Sequence, residues 1–151
     1  MRAIKTILHP TDFSPHSLYA FRIAVGLARE EKAQLVVLHV TPISHPDVRH
    51  PAPPELEPPA AAEEELKAYR REMEVRLERL RGPIGKLPVE HIIKEGPVGP
   101  TILAVADGLP ADLIVMGTHG RRGEAKWMLG SVADDVLRKC KCPVLTVKLP
   151  A

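Results

Sequence analysis

Residues 34–40, Gln-Leu-Val-Val-Leu-His-Val, form an almost unbroken apolar run. A strand that is apolar on both faces must be covered on both faces, and such strands are typical of parallel sheets. Residues 112–116, Asp-Leu-Ile-Val-Met, make a second run of this kind. Around them the periodicity changes to that of helices. In residues 14–31, Leu18, Phe21, Val25 and Ala28 share one stripe. Ser14 or Asp12 can cap that helix, and Pro15 suits its first turn. In residues 60–82, Leu66, Tyr69, Met73, Leu77 and Leu80 recur at spacings of 3, 4, 4 and 3, and Gly82-Pro83 ends the pattern. Shorter strands are expected at 4–9, 89–94 and 144–147. Helices are expected at 101–108 and at 131–140, the latter with Val132, Val136 and Leu137 inward. The order β-α-β-loop-α-β-α-β-loop-α-β predicts one α/β domain over residues 1–151. Its sheet is parallel, with helices on both faces.

Composition removes several function classes. Aromatic residues are 3% of the 151 residues, which argues against a platform that stacks nucleic-acid bases. A formal net charge of +2 is too small for a surface that tracks phosphate backbones. No apolar run approaches the ~20 residues of a membrane span. No signal-peptide core follows Met1-Arg2, so a cytoplasmic chain is expected, with neither nucleic acid nor membrane as partner. Prolines number 16, and seven of them lie within residues 42–59. Proline fixes φ and lacks a donor, so that stretch reads as one long proline-rich surface loop.

In open parallel sheets, ligands sit beyond the carboxyl ends of the strands where the strand order reverses. After the first strand comes His9-Pro10-Thr11-Asp12-Phe13-Ser14. After the fourth, ending at Met116, comes Gly117-Thr118-His119-Gly120-Arg121-Arg122-Gly123, and later Gly130-Ser131-Val132 opens the last helix. Closely spaced glycines let a backbone approach a ligand. Free N–H groups at a helix start bind phosphate. Ser131 reads as the cap residue, and Asp134 completes a weak capping box. Arg121, Arg122 and Lys126 add positive charge. Together these residues read as an anion site. There is no GxxxxGK[ST], and no GxGxxG follows the first strand. A phosphoacceptor domain would need an aspartate ending strand three, where this chain has Lys94-Glu95-Gly96. Cys140 and Cys142 make a poor zinc site and are expected as two reduced thiols. His39, inside a buried strand, is expected to be packed and hydrogen-bonded.

The spacing Gly117-x2-Gly120-x9-Gly130-Ser131 matches the nucleotide-binding pattern of the universal stress protein family. Pro10-Thr11-Asp12-Phe13-Ser14 and the ending Cys142-Pro143-Val144-Leu145-Thr146-Val147 also resemble that family, so the resemblance covers Ile4 to Val147. It implies a Rossmann-like five-stranded sheet of order 3-2-1-4-5 that binds ATP. Pro10, Thr11 and Asp12 would line the adenosine pocket, and Val40 would touch adenine. Met116, Gly117, Thr118, His119, Gly120, Arg121, Arg122 and Gly123 would form the loop around ribose and phosphate. Gly130, Ser131 and Val132 would hold the β and γ phosphates. Mg2+ or Mn2+ would be bound mainly through phosphate oxygens, without a protein ligand set. The last strand, with Val144, Leu145 and Val147 at a sheet edge, would pair two copies into a homodimer. The implied function is a nucleotide-dependent sensor or regulator of the stress response with at most slow ATP hydrolysis. Two alternatives stay open: an interaction module in which nucleotide is incidental, and a slow ATPase using His119 and Arg121.

Overall fold

Each apolar run becomes a strand of one sheet in the computed structural model, which describes residues 2–41, 60–81, 86–119 and 129–150. The strands are β1 (Thr6–Pro10), β2 (Gln34–Thr41), β3 (Val89–Glu95), β4 (Leu113–Gly117) and β5 (Val144–Val147). The helices are α1 (Pro15–Glu31), α2 (Ala60–Arg81), α3 (Val98–Gly108) and α4 (Ser131–Lys139). The sheet is parallel throughout, in the order β3-β2-β1-β4-β5. This is the expected order. The chain winds outward from β1 to β3, returns to β4 beside β1, and so places the order reversal between β1 and β4.

The two faces of the sheet carry separate apolar clusters. Ile7, Leu35, Val37 and Val115 pack with Ala20, Ala24 and Ala28 of α1 and Leu77 of α2. Leu8, Val36, Leu38 and Ile114 pack with Ile102 of α3 and Val136 of α4. Side chains alternate between faces along each strand, so β1, β2 and β4 must be apolar at successive positions. That is why their sequences run unbroken. The strands are also tied at their starts. The Asp112 carboxylate accepts hydrogen bonds from the backbone N–H groups of Lys5 (2.9 Å) and Thr6 (3.0 Å).

Several boundaries and facings differ from expectation. On α1, Phe21, Val25 and Ala28 of the expected stripe are buried, together with Ser17, Ala20 and Ala24, whereas Leu18 is 38% exposed. Small residues face the sheet because they let the helix approach closely, and the larger Leu18 turns away. Leu137 is likewise exposed on α4, where Ala133 and Val136 are buried. On α2, Met73 and Leu77 are buried as expected. Helix α3 starts three residues early, at Val98. Pro100 falls in its first turn, where no backbone donor is required. The proline-rich segment 42–59 lies outside the described residues. Among the described residues, no helix is long and apolar enough to cross a membrane.

Candidate functional site

The segment after β1 is a tight turn held by its own side chains. The backbone N–H of Phe13 donates to Thr11 Oγ1 (3.1 Å), and that of Ser14 donates to Asp12 Oδ1 (2.9 Å). Short polar side chains bonded to backbone two residues ahead are how such turns form. Phe13 sits at φ 61°, a left-handed conformation that is unusual for a bulky residue. Its ring contacts His39 (centroids 5.0 Å apart), and the Arg76 guanidinium lies 5.7 Å from its centroid. Ser14 then caps α1 by accepting from Ser17 N–H (3.2 Å). Of the two caps that the sequence allows, Ser14 and Asp12, the structure has Ser14.

Thr11 is the hub of this turn and is buried. Its N–H donates to Leu38 O (2.8 Å), extending the β1–β2 pairing by one residue. Its Oγ1 accepts from the Ser17 hydroxyl (2.8 Å). Its carbonyl accepts from His39 Nδ1–H (2.8 Å). A carbonyl only accepts, so Nδ1 carries the proton and Nε2 is free to accept from Tyr69 O–H (3.4 Å). His39 is the packed, hydrogen-bonded residue expected of it. Sequence reading did not find that His39 and Ser17 support the turn; the Ser14-x2-Ser17 spacing was the available signal. Pro10 ends β1, in register with Leu38, and Val40 stands one residue before the end of β2; both are buried.

On the neighbouring strand, Met116 is buried and Gly117 ends β4. A Cβ on Gly117 would lie 3.1 Å from the backbone carbonyl carbon of His16, so this glycine lets α1 close on the strand end. Thr118 and His119 follow, both buried, with a shared hydrogen bond of 2.8 Å between Thr118 Oγ1 and His119 Nδ1. The His119 ring packs against that of His16, with centroids 5.3 Å apart. Gly120, Arg121, Arg122, Gly123, Lys126 and Trp127 lie outside the described residues.

The chain returns at Gly130, whose N–H donates to Thr118 O (2.7 Å). This bond brings the start of α4 onto the end of β4. A Cβ on Gly130 would stand 2.9 Å from Thr118 O, so only glycine fits without displacement. Gly130 itself is the N-cap (φ −61°, ψ 153°), and its carbonyl accepts from Asp134 N–H (2.9 Å). The cap therefore falls one residue before Ser131, correcting the sequence assignment. Ser131 is the first helical residue and is exposed, Val132 is partly buried, and no side chain caps the helix. Asp134 makes no capping box; it accepts from Arg138 Nε (3.0 Å) instead.

This arrangement suits an anion. Helix starts leave N–H groups without intrahelical partners, and the helix dipole favours negative charge there. The glycine cap adds no side chain to compete for those donors. Among the described residues, no three His, Cys, Asp or Glu side chains are gathered to hold a metal. The donor set fits phosphate oxygens.

One further titratable group lies beneath the turn. His9, on β1, is fully buried, and its Nδ1–H donates to Val115 O (2.8 Å). Burial holds its pKa down at about 4, outweighing the opposing effects of the Val115 bond and the nearby Asp12 charge.

Residues 3–148 match the sequence profile of the universal stress protein family. Universal stress protein MJ0531 of Methanocaldococcus jannaschii is 37% identical over 147 residues, covering 97% of this chain and 83% of that protein. The solved structure of MJ0577, another universal stress protein of that organism, superposes with a TM-score of 0.83 at 25% identity, covering 99% of each chain. A universal stress protein solved in complex with cAMP superposes with a TM-score of 0.65 at 26% identity, over 99% of this chain and 100% of that one. On this evidence, the chain belongs to the universal stress protein family.

Proposed function

We propose that this protein binds ATP at the carboxyl ends of β1 and β4 and acts as a nucleotide-dependent regulator in the stress response, with at most slow hydrolysis. The observation that carries the reading is the junction at Gly130. Gly117, Thr118 and Gly130 are brought together by the Gly130–Thr118 backbone bond, and α4 begins there without a side-chain cap. That is a place for the β and γ phosphates. The turn at Pro10, Thr11 and Asp12 stands at the adjacent strand end, where adenosine would lie, with Val40 against the base. Few aromatics are available, so adenine is held by backbone and aliphatic groups. Mg2+ or Mn2+ would be bound through phosphate oxygens, in keeping with magnesium's habit of using few protein ligands. The relative solved with cAMP supports an adenine nucleotide as the ligand class. The edge strand β5 would pair two copies into a homodimer.

Denaturing the purified protein and analysing the released small molecules by mass spectrometry tests the ligand. The expected result is an adenine nucleotide in near-stoichiometric amount, or its uptake when ATP and Mg2+ are supplied. Protein that carries no nucleotide and takes up none would leave docking to a partner protein as the function.

A further inference from the structure

The only two cysteines of the chain sit together at the junction of α4 and β5, away from the strand ends that make up the nucleotide site. Cys140 is the C-cap of α4, and its backbone N–H donates to Val136 O. Cys142 lies two residues on, just before β5. Their Sγ atoms are 3.3 Å apart and share a hydrogen bond. Both thiols are free and partly buried. Between them Lys141 faces outward, its Nζ 3.6 Å from Asp107 Oδ2, so neither sulfur is turned away by the intervening side chain. Two thiols at hydrogen-bond distance need only a small rotation to come within bonding distance.

We propose that Cys140 and Cys142 form a reversible dithiol site that hydroperoxides oxidise to an intrachain disulfide. Burial, followed by the hydrogen bond with Cys140, pushes the Cys142 thiol up to about 12. Burial disfavours the Cys142 thiolate, so the first attack is assigned to Cys140; either sulfur can be the donor in the hydrogen bond they share. The Cys140 thiolate attacks the terminal peroxide oxygen. The O–O bond breaks, the alkoxide leaves and takes up a proton as alcohol or water, and Cys140 becomes a sulfenic acid. The Cys142 sulfur then attacks the Cys140 sulfur, loses its proton, and displaces hydroxide, which leaves as water. Two thiols and one hydroperoxide yield one disulfide, one alcohol and one water, with two electrons passed to the peroxide. Cys140 stands at the C-terminal end of α4, where the helix dipole disfavours negative charge. The pair is therefore a slow, stoichiometric sensor rather than a rapid peroxidase. A disulfide across a single intervening residue is strained, and strained disulfides are readily reduced again.

Intact-mass analysis of the reduced full-length chain after hydrogen peroxide treatment tests this. The expected product is a monomer lighter by two hydrogen atoms, with both cysteines silent to iodoacetamide and both reactive again after dithiothreitol. In Cys142→Ser, the sulfenic acid should persist at Cys140 and be trapped by dimedone. In Cys140→Ser, oxidation should slow by about tenfold or more, because burial disfavours the thiolate of the remaining Cys142. Free alkylation of both cysteines after oxidant would overturn the proposal. So would a disulfide joining two chains, or equal peroxide reactivity in the two variants.

Discussion

Gly130 and Ser131 are neighbours with opposite expected sensitivities. Gly130 has a backbone oxygen 2.9 Å from where its Cβ would be. Gly130→Ala should therefore weaken nucleotide binding by moving the start of α4 off Thr118. Ser131→Ala should change affinity by less than about tenfold, since its backbone N–H remains and one neutral hydrogen bond is worth about 1 kcal/mol. Equilibrium dialysis with labelled ATP compares the two. Equal losses in both variants would mean that the serine hydroxyl, not the glycine cap, is the chief phosphate ligand. Thr11 gives a second residue-scale test. Its Oγ1 receives both Phe13 N–H and the Ser17 hydroxyl. Thr11→Val leaves two donors without that acceptor and should cost about 2 kcal/mol in urea unfolding.

At the scale of the element, β1 is joined to β4 by a side chain as well as by its ladder, through His9 and Val115. His9 is held neutral by burial, with a folded-state pKa of about 4 against 6.5 when exposed. The unfolded chain therefore binds a proton that the folded chain refuses as pH falls below 6.5. Stability is full above pH 6.5 and declines towards pH 4, by about 3 kcal/mol over that window. Urea midpoints measured between pH 7.5 and pH 4.5 should show the decline, and His9→Gln should lose most of it. An unchanged slope in that variant would place the acid sensitivity elsewhere. The helices show what a sequence discloses and what it hides. The central strands were readable because burial on both faces writes an unbroken apolar run; their order in the sheet was implied by the family resemblance. On α1, Phe21, Val25 and Ala28 were readable, but the exposure of Leu18 was not, because the sheet side is completed by Ser17, Ala20 and Ala24, which hydrophobic periodicity underweights. Phe21→Ala should therefore cost about 3–5 kcal/mol, and Leu18→Ala under about 1 kcal/mol. Both are checked by the same unfolding curves. The glycine spacing drew attention to Gly130, but the cap was read at Ser131, one residue late. Nothing local announced that Gly130 is pressed against Thr118 O. The left-handed Phe13 was equally hidden, and its ring meets His39 and Arg76, which lie far along the chain.

At the scale of the whole molecule, the proposed reading puts nucleotide at the carboxyl ends of β1 and β4 and pairing at the β5 edge. Strand β5 closes the sheet at one side, and Leu145 is 40% exposed on it. Exposed strand edges pair with other strands. Sedimentation equilibrium should give a dimer for the wild type and a monomer for Leu145→Asp; a wild-type monomer at micromolar concentration would remove the dimer from the account. The central claim is that the Gly130 junction holds the phosphates of ATP. Isothermal titration of ATP with Mg2+ into wild type and Gly130→Glu tests it most directly. A bound carboxylate would occupy the phosphate position with like charge. The account predicts one ATP per wild-type chain and an affinity loss of about two orders of magnitude or more in the variant. Undiminished binding by Gly130→Glu, or none by the wild type, would contradict it.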